Sequence, residues 1–293
     1  MRYGIIVNPT AGKDTGSHIG LEATRLLRAA GHDLLDLSAL DAEGALARAR
    51  EAIGARSIDA LVVAGGDGMA HLGVNACAGT GVPLGIVAAG TGNDIARELG
   101  LPVRDAAKSV ERIVEDRVRH IDAGRLLSDG HERWFLGALA AGFDAVVNER
   151  ANTWRWPKGQ MRYNLAIARE LPGFRAIPYV LTIDGVRREV DAMLVAVGNA
   201  PAYGGGMRIV PDAQFDDGLF DILILHKLSI PGFVRVFPKV FSGRHTTHPK
   251  VEIIQGRSVR IEATGIVSYA DGERFAALPV DLEVVPDALG VLA

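Results

Sequence analysis

A glycine-rich turn, Gly65-Gly66-Asp67-Gly68, constrains the fold of this chain more than any other feature. It joins an apolar run from Ala60 to Ala64, typical of a buried strand, to a segment from Met69 to Cys77 that is predicted to be helical. Phosphate oxygens can approach glycines closely, and a helix N-terminus supplies amide donors. An aspartate there would repel phosphate unless a divalent cation lies between them, and Mg²⁺ is usually held by carboxylates plus substrate phosphates. The turn therefore indicates a magnesium–nucleotide site.

Two further predicted strands end in turns of the same kind. The run from Tyr3 to Val7 leads into Asn8-Pro9-Thr10-Ala11-Gly12, and the run from Leu84 to Ala88 leads into Gly90-Thr91-Gly92-Asn93-Asp94. In an open parallel sheet, ligands bind beyond the carboxyl ends of the strands. Three such turns together predict one nucleotide-binding edge.

Two common nucleotide motifs do not fit these turns. The dinucleotide fingerprint requires a third glycine three residues after the second, and His71 and Ile95 occupy that position. The Walker A pattern requires a glycine five residues before its Gly-Lys pair, and Val7 stands at that distance from Gly12-Lys13.

The periodicity divides the chain into two predicted domains. Strand and helix patterns alternate up to about Gly124, which predicts a doubly wound α/β nucleotide-binding domain over residues 1–124. Short strand-like runs separated by turns follow, among them Trp134 to Ala140, which predicts a β-rich, antiparallel, sandwich-like domain over residues 125–283. Helical stretches interrupt it at Ala145 to Leu171 and Ile230 to Phe241, and residues 284–293 are expected to return to the first domain.

Composition narrows the environment and the partners. A net charge of −3 gives no support for a nucleic-acid partner. Cys77 is the single cysteine, so an intrachain disulfide is excluded and a cytoplasmic protein is expected. The longest stretch without a charged residue, Met69 to Asn93, contains six glycines and a proline, which argues against a membrane-spanning helix. Met1-Arg2 leads directly into a predicted strand, so no signal peptide is expected.

The three turns, with Asp216-Asp217-Gly218-Leu219-Phe220-Asp221 and Asp271-Gly272-Glu273 farther on, resemble the diacylglycerol kinase catalytic-domain family, in its bacterial soluble lipid-kinase branch. The resemblance covers nearly the whole chain. It implies an ATP-dependent kinase that transfers the γ-phosphate to a hydroxyl of diacylglycerol or a similar lipid, giving phosphatidic acid or its equivalent. A kinase for a sphingoid base, a glycerol-headgroup lipid or a soluble polyol is the first alternative. A nucleotide-binding regulator without turnover is the second.

The resemblance also implies roles for individual residues. Glu273 is the expected general base, with Asp271 close to it, and Asp67 is expected to act with Mg²⁺, joined by Asp94 and Asp122 in an acidic network. A second, structural Mg²⁺ site is expected at Gln214, Asp217 and Leu219. The expected nucleotide contacts are Asn8, Pro9, Thr10, Ala11, Gly12, Ser38, Gly65, Gly66, Asp67, Gly68, Met69, Thr91, Gly92 and Asn93.

Each of these positions also has a purely structural alternative. Asp271-Gly272 is by itself a strong hairpin-turn signal, and Asp67 could bond its own backbone within the turn. Asp94 and Ser38 could be helix N-caps. Asp122 could be a polar residue at a strand end, and Asp217 an ordinary loop aspartate.

One departure from the family pattern lies at Met69, where the family usually has threonine. The missing hydroxyl removes one phosphate or water contact, while the backbone donors and Asp67 remain. We therefore expect a variant but working site. On the sequence alone, Met69→Thr is expected to be tolerated.

A cluster of tryptophans and basic residues suggests a lipid-facing surface. Trp154 and Trp156 alternate with Arg155, Lys158 and Arg162, and such residues are favoured where proteins meet lipid headgroups. This predicts a peripheral contact with the inner face of the membrane. The alternative is that the tryptophans pack on their own domain. A homodimer stays open.

Overall fold

The computed structural model describes residues 1–8, 16–128, 131–154, 156 and 160–293. The first half alternates strands and helices. In chain order these are β1 (Arg2–Val7), α1 (Gly16–Ala29), β2 (Asp33–Asp36), α2 (Ala42–Gly54), β3 (Ala60–Gly65), α3 (Asp67–Cys77), β4 (Leu84–Ala88), α4 (Asp94–Glu98) and α5 (Ala106–Val114).

The second half is mostly strands. The elements are β5 (Val118–Ser128), β6 (His131–Phe135), β7 (Ala138–Gly142), α6 (Phe143–Thr153), α7 (Gln160–Glu170), β8 (Ile177–Ile183), β9 (Val186–Gly198), β10 (Phe220–His226), α8 (Ile230–Val236), the 3-10 helices Phe237–Ser242 and Arg244–Thr247, β11 (Val251–Gly256), β12 (Ser258–Glu262), β13 (Val267–Ala270), β14 (Glu273–Ala277) and β15 (Val280–Leu292).

The predicted doubly wound sheet is confirmed. Its strands run parallel in the order β4-β3-β1-β2. β3 and β4 are buried along their whole length, as expected for apolar strands covered on both faces. One buried cluster packs α1 and α5 against the sheet and another packs α2 and α3. The register pairs Val7 with Ala64 and Gly65 with Ala88, so the glycine-bearing turns leave the sheet at one edge.

The second half forms an antiparallel sheet system, also as predicted. Hydrogen-bonded neighbours follow the order β14-β13-β7-β9-β8-β12-β15, and β10 pairs with both β9 and β11. β15 pairs with β12 and β5, and near its end Val291 pairs in parallel with Leu84 of β4. The same strand therefore takes part in both halves. The domain limits drawn from the sequence stay predictions.

Two local features differ from the sequence-based expectation. The run from Trp134 to Ala140, expected to be one strand, is broken at Leu136 and Gly137 into β6 and β7. The helix expected from Ile230 to Phe241 changes to a 3-10 helix at Phe237, where Pro238 lacks the amide that an α-helix would use. Within the described ranges, no helix is both long and apolar enough to cross a membrane.

Candidate active site

The glycine turns at residues 65–68 and 90–94 lie back to back. A Cβ built on Gly90 would stand 2.4 Å from the Cα of Gly66 and 3.1 Å from its nitrogen. Ala89 donates a backbone hydrogen bond to the carbonyl of Gly65 at 2.8 Å. Because the obstructing atoms are backbone, only glycine lets these two turns approach so closely.

Asp67 binds the backbone of the neighbouring turn and not its own turn. Its carboxylate accepts hydrogen bonds from the amides of Asn93 at 2.8 Å and Ile95 at 3.4 Å. Asn93 has a left-handed φ of 57°, and its side chain bonds both the amide and the carbonyl of Gly90. Gly92 leaves room for the aspartate, since a Cβ there would lie 2.7 Å from Asp67 Oδ2. Asp67 therefore shapes the turn that holds three of the predicted nucleotide contacts.

Asp67 and Asp94 form a pair of neighbouring carboxylates. Burial, and then the negative charge of Asp94, raise the pKa of Asp67 above its ordinary value. Asp94 is the first helical residue of α4, with Asn93 at the N-cap, so the N-cap reading of Asp94 is wrong. Its Oδ2 instead accepts a hydrogen bond from the amide of Gly205 at 2.5 Å. The pair thus joins the first sheet to a loop of the second half.

Glu273, from the second half of the molecule, reaches the glycine turn at residues 65–68. It opens β14, just after the Asp271-Gly272 turn, whose φ angles of 51° and 85° suit a two-residue type I′ hairpin. The Glu273 carboxylate Oε1 lies 3.4 Å from the point where a Cβ on Gly68 would stand. Glu273 is exposed to a cleft of about 860 Å³ that α2, α3 and β6 also line.

The side chain of Asp271 is buried beneath this hairpin tip. Its carboxylate accepts hydrogen bonds from the amides of Leu136 at 3.0 Å and Gly137 at 2.8 Å, and it contacts His71 Nδ1 at 3.0 Å. These partners explain why the chain breaks between β6 and β7. The hairpin reading of Asp271-Gly272 is correct, and the same turn presents Glu273 to the cleft.

His71 and Asn75 also belong to this arrangement, although no expectation from the sequence included them. Asn75 forms a two-way bridge with the backbone of Trp134, donating to its carbonyl and accepting from its amide, both at 2.9 Å. The Asn75 side-chain nitrogen also lies 3.2 Å from His71 Nε2. This contact favours His71 Nδ1 as the ring nitrogen that donates to Asp271. His71 and Asn75 are four residues apart on α3, and this spacing was the sequence signal that could have identified them.

Asp122 binds backbone amides of segments that are distant in sequence. Its two carboxylate oxygens accept from the amides of Gly218 at 2.8 Å and Asp287 at 3.0 Å. It lies inside β5, so the strand-end reading is wrong. Among the described residues, no three acidic, histidine or cysteine side chains converge as a metal site. The three-aspartate metal network stays a prediction.

The loop expected to hold a second Mg²⁺ is partly closed on itself. Asp217 Oδ1 accepts from the amide of Leu219 at 3.0 Å, which is the arrangement of an ordinary Asx turn. Gln214 and Asp217 are exposed. The metal role of this loop also stays a prediction.

Ser38 ties two strand ends together. Its hydroxyl oxygen accepts from the amide of Val7 at 3.1 Å, while Asp41 caps α2 through the amide of Gly44. The N-cap reading of Ser38 is therefore wrong. Asn8 continues the edge by donating its amide to Ala64 at 3.1 Å. The predicted contacts at Pro9, Thr10, Ala11 and Gly12 lie outside the described residues, and Thr91 is exposed.

The side chain of Met69 belongs to the core. Its side chain is buried in the cluster between the sheet, α2 and α3. A Cβ on Gly65 would stand only 2.4 Å from Met69 Cγ. The thioether side chain occupies the space that Gly65 leaves open.

A second cavity, missed by the sequence analysis, lies in the second half. It is narrow, about 60 Å³, and apolar side chains of α6, β9, β10 and α8 line it. Asp144 is buried at its wall, where the Tyr163 hydroxyl donates to the carboxylate and Asn148 lies 3.2 Å away. Burial raises the pKa of Asp144.

The loop Tyr203-Gly204-Gly205-Gly206 connects this cavity to the candidate active site. Tyr203 lines the cavity, and the amide of Gly205 binds Asp94. All three glycines have positive φ angles, of 64°, 88° and 86°. Three consecutive glycines were the sequence signal that could have identified this loop.

Comparison with known proteins agrees with this architecture. Residues 2–126 match the diacylglycerol kinase catalytic domain, and residues 137–293 match the YegS C-terminal NAD kinase beta sandwich-like domain. A diacylglycerol kinase of Mycobacterium tuberculosis strain H37Rv is 39% identical over 289 residues, which cover 98% of this chain and 93% of that protein.

Solved structures show the same two-part fold. A diacylglycerol kinase of Bacillus anthracis strain Sterne superposes with a TM-score of 0.78 at 27% identity, covering 99% of this chain and 96% of that one. An NAD kinase of Archaeoglobus fulgidus, solved in complex with ATP, gives 0.56 at 12% identity over 100% and 94% of the two chains. The second likeness supports the fold alone. This chain matches a relative that is 39% identical along nearly its whole length, and it therefore belongs to the diacylglycerol kinase family.

Proposed function

We propose that this protein is an ATP-dependent kinase that transfers the γ-phosphate to a hydroxyl of diacylglycerol or a similar lipid. The observation that carries the proposal is the approach of Glu273 to Gly68 across the cleft. Phosphoryl transfer requires a nucleotide held in place, neutralised charge and a base near the acceptor. This approach puts the Glu273 carboxylate of the second half beside a glycine turn of the first half, and such turns are suited to bind phosphate.

The glycine turns are suited to hold the nucleotide phosphates. Their amides lie at the carboxyl edge of a parallel sheet, where α3 begins and the Gly66 and Gly90 backbones meet. Asp67 and Asp94 fit a magnesium ion, which needs one or two carboxylates and takes its remaining ligands from phosphates and water. When bound, Mg²⁺ would neutralise phosphate charge. Burial and the charge of Asp94 raise the pKa of Asp67, and the charged form of this carboxylate is the one that would hold the ion.

Glu273 would take the proton of the acceptor hydroxyl. It is exposed at the hairpin tip, so its carboxylate can accept a proton from a bound alcohol within hydrogen-bond reach. Asp271 acts differently, because its side chain is buried and is bound by Leu136, Gly137 and His71. It positions the hairpin that carries Glu273.

A lipid acceptor is supported by the apolar surroundings of the glycine loop at 204–206. The cavity at Tyr203 is almost entirely apolar apart from Asp144, two tyrosines and His245. It is too small for a whole diacylglycerol, so an acyl chain would have to enter by displacing side chains or lie in a neighbouring cleft. The relatives named diacylglycerol kinase support the same acceptor. A reversible contact with the membrane surface is part of the proposal.

The test is transfer of labelled phosphate from ATP to extracted total lipids, with the product identified by mass spectrometry. Wild type and Glu273→Gln are compared, because both should bind nucleotide and the variant should turn over far more slowly. Labelled phosphatidic acid supports the proposal. A different labelled product would reassign the acceptor, and nucleotide binding without any labelled product would favour a regulator.

A further inference from the structure

The chain contains one long basic stretch in its second half. Between Asp221 and Glu252 there is no acidic residue, although the whole chain has a net charge of −3. The stretch carries five exposed basic side chains: Lys227, Arg235, Lys239, Arg244 and Lys250. None of them forms an ion pair with another residue of the described ranges.

The centre of this stretch, residues 230–242, has two different sides. It comprises α8 and the 3-10 helix that follows. Phe233, Val236 and Val240 are buried in the core of the second half. Ile230, Val234 and Phe241 are instead between 45% and 58% exposed. The outer side therefore combines uncovered apolar side chains with unpaired cations.

The 230–242 segment borders a cleft that leads toward the candidate active site. The cleft has a volume of about 440 Å³ and lies between α7 and the 3-10 helix, with Ile167 on one side and Phe237 and Phe241 on the other. Gly205, whose amide binds Asp94, also lines it. Met161 and Leu165, one turn apart on α7, add exposed apolar surface.

We propose that the 230–242 segment docks on the surface of an anionic lipid bilayer. The inference rests on the proposed function, since only a lipid substrate requires such contact. Exposed apolar side chains that enter the interface while cations meet anionic headgroups are the features of interfacial helices. Docking there places the mouth of the cleft at the bilayer, so that a lipid hydroxyl can approach Gly205 without crossing water.

This placement differs from the surface that the sequence suggested. Trp154 is partly buried and packs against the core of the second half, as the alternative reading held. Trp156 is 80% exposed, and Arg155 and Lys158 lie outside the described residues. The segment at 230–242 offers both apolar exposure and unpaired cations on described residues.

The experiment is co-sedimentation with vesicles of phosphatidylcholine and phosphatidylglycerol in equal parts, without nucleotide. The docking variant carries Ile230→Ser, Val234→Ser, Arg235→Ser and Lys239→Ser. A matched control variant removes two exposed leucines and two exposed arginines from the first half, by Leu21→Ser, Leu40→Ser, Arg28→Ser and Arg56→Ser. Both variants lose two positive charges and two exposed apolar side chains.

We expect the docking variant to lose at least about 30-fold in vesicle partitioning from the two cations alone. The control should change less than about twofold, and the difference should shrink at high salt. If the docking variant melts early, the charge-only pair Arg235→Ser/Lys239→Ser against Arg28→Ser/Arg56→Ser decides the question. Equal binding by the docking and control variants overturns the proposal, and so does failure of the wild type to bind anionic vesicles.

Transfer to a short-chain, water-soluble diacylglycerol separates this inference from the proposed function. The docking variant should keep wild-type activity on that acceptor, because no docking residue touches Glu273 or the glycine turns. If the docking variant alone loses vesicle binding and the wild type transfers no phosphate, the kinase function is refuted and the lipid-binding surface is still supported. Loss of short-chain activity in the docking variant, with wild type active, would overturn the docking role.

Discussion

Asp271 and His71 join the two halves of the molecule at the candidate active site, with 3.0 Å between the carboxylate Oδ2 and the imidazole Nδ1. The side chains are only 1% and 12% exposed. His71 lies on α3, directly behind the first glycine turn, and Asp271 lies in the hairpin turn that carries Glu273. A hydrogen bond in such a water-poor place is stronger than one at the surface. It holds Glu273 in a fixed relation to the glycine turn at residues 65–68.

We predict that Asp271→Asn lowers both stability and turnover. Asparagine keeps the shape but has one acceptor oxygen, and its NH₂ would oppose the amide of Leu136 or Gly137. Leaving a buried donor unpaired costs about 1–3 kcal/mol. Urea denaturation measures the loss, and steady-state kinetics measures turnover. An unfolding free energy equal to that of wild type would show that Asp271 does not anchor the hairpin.

Glu273→Gln should behave in the opposite way as regards stability. Because Glu273 is exposed, the unfolding free energy of the variant should stay within about 0.5 kcal/mol of that of wild type. Turnover should fall by roughly 10²–10⁴-fold, the usual contribution of a positioned base. ATP affinity, measured by calorimetry, should remain close to wild type. Undiminished turnover in the folded variant would remove Glu273 from the mechanism.

The parallel half of the fold was predictable because its signals are local. The fourth strand was expected from Leu84 to Ala88 and is observed over those residues. Apolar runs of this length, ended by glycine, leave little freedom in assigning a buried strand. The Asp271-Gly272 hairpin was predictable for the same reason, since two residues with positive φ specify a tight turn.

The hydrogen-bond partners of the site were not predictable, because they are distant in sequence. Asp122 binds amides 96 and 165 residues away, and Asp271 binds His71 across 200 residues. Nothing in the neighbourhood of Asp122 distinguishes a metal ligand from a carboxylate that ties strand to loop. Ser38 shows the same limit, since its partner Val7 belongs to another strand.

The structure revises the expectation for Met69→Thr. Met69 is a buried core side chain, so the substitution removes packed volume and buries a hydroxyl. We now expect destabilisation on the order of 2–4 kcal/mol, near the range for truncating a buried methionine. Met161→Thr, at an exposed position of α7, is the control and should cost less than about 1 kcal/mol. Equal thermal shifts for the two variants would contradict the core assignment.

Asp94→Asn should move the acidic limb of the pH–rate profile. Burial and the charge of Asp94 raise the pKa of Asp67, and kcat/KM should fall as pH drops through that raised pKa. Removing the neighbouring charge lowers the pKa of Asp67, so the acidic limb should shift to lower pH. Asparagine can still accept from the amide of Gly205. Asp191→Asn, at an exposed position of β9, should leave the limb in place. A shift to higher pH would contradict the assignment.

Gly90→Ala tests the close contact between the two glycine turns. The added Cβ would stand 2.4 Å from Gly66 Cα, and both turns must move because the obstruction is backbone. We expect ATP affinity to fall at least about tenfold, since displaced amides no longer point at the phosphates. Gly54→Ala is the matched control. That glycine ends α2 with nothing within 4 Å of a Cβ, so alanine should be neutral or slightly stabilising. Calorimetry with ATP compares the two. Wild-type affinity in folded Gly90→Ala would show that the turns tolerate separation and that nucleotide binding does not depend on their contact.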